Sequence, residues 1–127
     1  MEKICLDFEA ALDFLRGEPA IIDKMRYYAD HEEICITSLT MMHLLEVINK
    51  PEVVSSFSAN VTVLPFDKKA AQIASKLLND MKDRSDGFRM TDSILTAAIC
   101  MANNAFLFTR STGSTGKFDG IKGLRKV

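Results

Sequence analysis

Apolar residues in this chain fall into two patterns: short continuous runs, and longer stretches where they recur every three or four positions. The runs Ile4 to Leu6, Ile34 to Thr37, Val61 to Leu64 and Ala105 to Phe108 are those expected of strands buried on both faces of a parallel sheet. Between them the period becomes helical. Phe8, Leu12 and Leu15 begin one helix, which Gly17 closes. Glu18-Pro19 opens a second, with Ile21, Ile22, Met25 and Tyr28 on its buried face and Asp23, Lys24 and Arg26 in solvent. Met41, Leu44, Leu45 and Ile48 predict a helix capped by Ser38 or Thr40 and ended before Pro51. Pro51-Glu52 could start a short helix, which Ser55, Ser56 and Ser58 weaken. Asp67 reads as the N-cap of a long helix with Ala70, Ile73, Ala74, Leu77 and Met81 inward. A further helix has Thr91 as N-cap, Asp92 in its first turn and a stripe of Met90, Ile94, Ala97, Ala98 and Met101, and Asn103-Asn104 stops it. Asp83 to Gly87 is a polar connection, Ser111 to Gly116 a Gly/Ser/Thr loop, and Leu124 to Val127 a short edge strand.

The resulting order, β-α-α-β-α-(α)-β-α-α-β-(β), predicts an α/β fold. It is a three-layer α/β/α sandwich around a mostly parallel sheet of about 4–5 strands. At 127 residues it makes one domain, spanning 1–127. Such sheets bind ligands beyond the carboxyl ends of their strands. Asp7 ends the first strand, His43 and Glu46 lie in the opening turns of the helix after the second, and Thr109 to Ser111 end the fourth. All belong to one edge. Asp92 opens a helix that runs into a strand, so this rule alone does not put it there.

Composition changes the picture little. Hydrophobic residues are 47% and charged ones 26%, as in ordinary globular domains. The net charge of −1 brings no overall basic field, although a local patch could still bind nucleic acid. MEKICLD lacks signal-peptide architecture and no apolar run reaches membrane-span length, so a cytoplasmic, non-membrane protein is expected. Cys5, Cys35 and Cys100 sit in apolar segments without metal spacing and read as buried, reduced thiols. Gly113 to Lys117 is not a phosphate loop, which needs four residues between its glycines and Ser or Thr after the Lys. Asp7 at a strand end also suggests a phosphoacceptor domain. The paired acid and the separate acceptor Asp that such a domain needs are missing, since the second strand ends in Thr37.

Five segments resemble the PIN-domain family, particularly its small VapC-type members, toxins of toxin–antitoxin pairs. ICLDFEAALDFLRGEP is similar to that family's opening strand with its first metal-binding Asp, here Asp7. ICITSLTMMHLLEVI is similar to the second strand and the helix carrying the family's Glu. VTVLPFDKKAAQIASKL resembles the strand–helix unit that follows, and FRMTDSILTAAICMANNAFLFTRS the segment with a further acid, here Asp92. The resemblance implies a Mg²⁺- or Mn²⁺-dependent ribonuclease acting on RNA, held by an antitoxin and pairing as a homodimer. It implies Asp7 and Asp92 as metal ligands and Thr109, Arg110 and Ser111 as substrate-binding residues. Carboxylates suit this chemistry because hard divalent ions prefer oxygen and neutralise charge on a phosphodiester as it breaks.

The chain also departs from that pattern. His43 stands where the Glu is expected, with Glu46 one turn further on as a possible substitute. Glu9 and Asp119 are weaker replacements, and the last acid falls at Ser114 or Lys117. The catalytic candidates are therefore Asp7, Asp92, His43 and Glu46. The alternative is a PIN-fold module that has lost catalysis and serves binding or assembly. For a homodimer surface, Tyr27, Tyr28, Met41 and Met42 are candidates.

Overall fold

The computed structural model describes residues 1–80, 91–110 and 118–127. Its elements, in order, are β1 (Lys3–Leu6), α1 (Phe8–Leu15), α2 (Pro19–His31), β2 (Glu33–Thr37), α3 (Ser38–Val47), α4 (Pro51–Ala59), β3 (Thr62–Leu64), α5 (Lys68–Asp80), α6 (Thr91–Ala102) and β4 (Phe106–Phe108). The four strands form one parallel sheet in the order β3-β2-β1-β4. The expected edge strand at Leu124 to Val127 shrinks to a single parallel bridge, Leu107 with Lys126. Two backbone bonds flank it, Leu107 N–H to Arg125 O at 2.8 Å and Val127 N–H to Leu107 O at 3.0 Å.

Alternation along the strands divides the core in two, because successive side chains leave opposite faces of a sheet. Ile4, Leu6, Ile36 and Phe108 pack with Ala10, Met25, Leu44 and Phe57 from α1 to α4. Cys5, Cys35 and Leu107 point the other way, onto Ala70, Ala74 and Leu77 of α5 and Ile94, Ala97 and Ala98 of α6. This is the expected three-layer sandwich. The three thiols are free, as the sequence suggested. A hydrogen bond with Cys100, then burial, holds the Cys5 thiol well above its ordinary value, and burial followed by the negative charge of Glu33 pushes Cys35 up to about 12. Both stay protonated in the fold.

Local details differ where a neighbour outweighs propensity. Thr37, rather than Ser38 or Thr40, caps α3: its extended backbone (ψ 160°) closes β2 while its side chain accepts from Thr40 N–H at 3.0 Å. α4 forms despite its serines, because they stay largely on the solvent side while Val54 and Phe57, at i and i+3, are buried. Pro51 at its start leaves no lost donor. Asp67 caps α5 as expected, accepting from Ala70 N–H at 2.9 Å. Gly17 (φ 80°) and Asn104 (φ 54°) supply the left-handed residues that end α1 and α6. Thr91 is the first described residue of α6, and the residues before it lie outside the described ones. Met81, Asp83 to Gly87, Met90 and the loop Ser111 to Gly116 lie outside the described residues.

Candidate functional site

Topology determines which side chains share the carboxyl rim. β1 ends at Leu6, so Asp7 follows directly onto that rim and caps α1, its side chain accepting from Ala10 N–H at 2.8 Å through Oδ1. Leu6 is paired in register with Phe108, which sets Thr109 beside Asp7. The Thr109 hydroxyl donates to Asp7 Oδ2 at 2.5 Å, and the Asp7 backbone N–H donates to Phe108 O at 3.1 Å. With 4% of its surface exposed, Asp7 is a buried carboxylate held at both oxygens.

Asp92 reaches the same rim from the opposite chain direction. α6 leads into the parallel strand β4, so it runs back along the sheet and must begin where the strands end. Asp7, Glu9, His43 and Asp92 together line one cavity of about 300 Å³, with the hydroxyl-bearing Thr40, Ser93 and Thr96 and with Phe118. Sequence reasoning missed these hydroxyls. The signal was available: Thr96 follows Asp92 by one helical turn, within an otherwise apolar stripe.

His43 stands between two acids. Its Nδ1 is 3.4 Å from Glu46 Oε1 and its Nε2 3.5 Å from Asp92 Oδ2. Both separations exceed the usual 2.7–3.2 Å, so neither is a good hydrogen bond. The Nε2 atom is buried and has no hydrogen-bond partner among the described residues. Phe8 meets the imidazole edge-on, with ring centroids 5.8 Å apart. The two acids flanking His43 are open to water, Glu46 at 64% and Asp92 at 76% side-chain exposure.

Of the expected site residues, Asp7, His43 and Asp92 thus share the cavity, and Glu46 touches His43 but does not line it. Thr109 bonds Asp7 but does not line the cavity. Arg110 turns to α1, where its Nη1 donates to Asp13 Oδ2 at 2.6 Å. Ser111, Ser114 and Lys117 lie outside the described residues. Asp119 is paired with Lys126 at 2.8 Å.

Two carboxylates in one cavity suit a divalent cation, and the orphaned Nε2 of His43 suits one that accepts nitrogen. A Mg²⁺ cage of carboxylates is not present: among the described residues, no three His, Cys, Asp or Glu side chains converge closely enough to hold a metal. A second, larger groove of about 840 Å³ lies away from this rim, between α1, α2 and α4, and its walls include Phe14, Leu15, Ile22, Val53 and Phe57. Among the residues expected at a dimer surface, Tyr27 and Met42 are exposed, whereas Tyr28 and Met41 pack against the core.

No family model matches the sequence, and no curated protein does. Solved structures match over nearly the whole chain. The DNA-bound VapBC complex from Salmonella typhimurium contains a chain 22% identical, with a TM-score of 0.81, 100% of this chain covered and 98% of that one. For VapBC2 from Rickettsia felis bound to a promoter DNA fragment the values are 17%, 0.76, 98% and 97%. For VapBC-1 from nontypeable Haemophilus influenzae they are 16%, 0.75, 98% and 96%. The protein shares the PIN-like α/β/α fold of these VapBC complexes.

Proposed function

We propose, from that shared fold and the chemistry of the rim cavity, that the protein is a divalent-ion-dependent endoribonuclease and the toxin half of a toxin–antitoxin pair. The observation that carries the reading is the convergence of Asp7 and Asp92, 85 positions apart (92 − 7), in one cavity at the carboxyl edge of the sheet. Asp7 and Asp92 would hold the ion, Mg²⁺ or Mn²⁺ by resemblance. What a bound ion supplies there is neutralisation of charge on the phosphodiester oxygens. Thr109 fixes the Asp7 carboxylate by its 2.5 Å hydrogen bond, so the acid needs little reorganisation on loading. Arg110 lies next in the chain and, among the described residues, meets Asp13 through one of its nitrogens, which leaves donors for a phosphate.

The partner reading rests on the complexes that share the fold and on the 840 Å³ groove. Open apolar grooves of this size mark sites of association, and an antitoxin segment with an apolar face would fill it. Exposed Tyr27 and Met42 support, in the same way, a homodimer. Among the described residues no helix is long and apolar enough to cross a membrane. The three free thiols agree with a reducing cytoplasm.

The test is cleavage of end-labelled RNA by the purified chain with Mg²⁺ and with Mn²⁺, beside Asp7→Asn and Asp92→Asn. Ion-dependent cleavage abolished by either substitution is the expected result. Cleavage unchanged in both variants would overturn the site. One observation favours a second reading, a binding or assembly module without catalysis: an imidazole, not a carboxylate, faces Asp92. Under that reading the native chain binds its partner and cleaves RNA with neither ion.

A further inference from the structure

We infer that His43 converts this cavity from a Mg²⁺ site to one for a divalent ion that accepts nitrogen, such as Zn²⁺, with His43 Nε2 and Asp92 Oδ2 as its paired ligands. The inference rests on the proposed function only for the premise that an ion binds here at all.

Three observations carry it. His43 Nε2 is buried with no hydrogen-bond partner among the described residues, a costly state for a polar atom with no ligand to satisfy it. Its one charged neighbour, Asp92 Oδ2, sits at 3.5 Å, too far for a good hydrogen bond. That separation is what two ligands of one ion require, since atoms each about 2.1 Å from a tetrahedral centre lie about 3.4 Å apart. Lastly, Nδ1 faces Glu46 Oε1 at 3.4 Å. At that distance it is not a good hydrogen bond, but it puts a carboxylate on the side of the ring from which a ligating imidazole is oriented. Phe8 packs edge-on against the ring.

The donor chemistry then selects the ion. Mg²⁺ requires hard oxygen ligands and gives up its water reluctantly, so an imidazole in place of a carboxylate removes much of its attraction. Imidazole suits later first-row ions. His43 and Asp92 supply two protein ligands; Asp7 shares the cavity but does not converge with them as a third among the described residues, so water would fill the remaining positions.

Affinity rises from Mn²⁺ towards Cu²⁺ at most nitrogen and oxygen sites, so tighter Zn²⁺ binding alone decides nothing. The deciding quantity is the Zn²⁺:Mg²⁺ affinity ratio, measured by calorimetry in the native protein, His43→Glu and His43→Gln. His43→Glu should lower that ratio by about tenfold or more, chiefly by strengthening Mg²⁺ binding, and His43→Gln should weaken Zn²⁺ by a similar factor. The chain has only two histidines, so nitrogen-15 spectra report directly: Zn²⁺ should move the His43 Nε2 resonance and leave His31 in place. An unchanged ratio in His43→Glu, or Zn²⁺ binding that leaves the Nε2 resonance unmoved, would overturn the inference. These readouts are independent of cleavage. Nitrogen-bound Zn²⁺ without RNA cleavage would keep this inference and reject the nuclease, whereas Mg²⁺-supported cleavage with an unchanged ratio would do the reverse.

Discussion

The two aspartates of the cavity belong to different worlds. Asp7 is 4% exposed, caps a helix, accepts the Thr109 hydroxyl and directly follows β1, an inner strand of the sheet. Asp92 has a side chain 76% exposed and, opposite it at 3.5 Å, an imidazole that makes no hydrogen bond to it. One acid is built into the architecture and the other is presented to solvent. Removing the first should therefore cost fold stability, and removing the second little of it. If an ion binds as proposed, one carboxylate is held fixed and the other is free to adjust as it arrives.

Substitutions can break that contrast in order of size. Asp7→Ala should have the largest effect, about 2–3 kcal/mol of lost stability in urea unfolding, because it deletes a buried helix cap and the carboxylate that accepts the Thr109 hydroxyl. Cleavage should vanish with it. A loss below about 0.5 kcal/mol would mean that Asp7 is not the anchored acid described above. Thr109→Val should cost about 1–2 kcal/mol, and Thr109→Ser should recover most of it, since the hydroxyl bonded to a carboxylate is what matters. Equal losses in both variants would assign Thr109 to packing instead. Asp13→Asn breaks the pair with Arg110 at a half-exposed surface, worth about 0.5 kcal/mol. Its more informative readout is RNA affinity, expected to rise if releasing Arg110 adds a phosphate contact. Asp92→Asn should change stability least, within about 0.5 kcal/mol by the same unfolding assay, while abolishing cleavage. A large loss of stability there would erase the difference between the two acids.

Legibility in the sequence follows the same division. The Asp7 side was readable because its causes are local: an apolar run, an acid and a helical period stand in unbroken order from Ile4 to Leu15. α5 with its Asp67 cap was readable for the same reason. The cap of α3 was misjudged between Ser38 and Thr40 because both have the right chemistry, and only the extended backbone at the end of β2 chose Thr37. Thr109 was expected at substrate, by resemblance; its hydrogen bond to Asp7 comes from the β1–β4 register. No local pattern encodes a register between strands about a hundred residues apart.

What the sequence determined by itself was the class of fold, most element positions and the acid on the first strand, because hydrophobic period and capping act over a few residues. Tertiary structure alone decided which side chains meet. It put Asp92 on the rim because a helix feeding a parallel strand must start where the strands end, an outcome of chain direction that the residues around Asp92 do not carry. It aimed His43 at Asp92, sent Arg110 to Asp13, and reduced the last edge strand to one bridge. Each depends on distances between segments far apart in the chain, which are set by packing the two helical layers on one sheet.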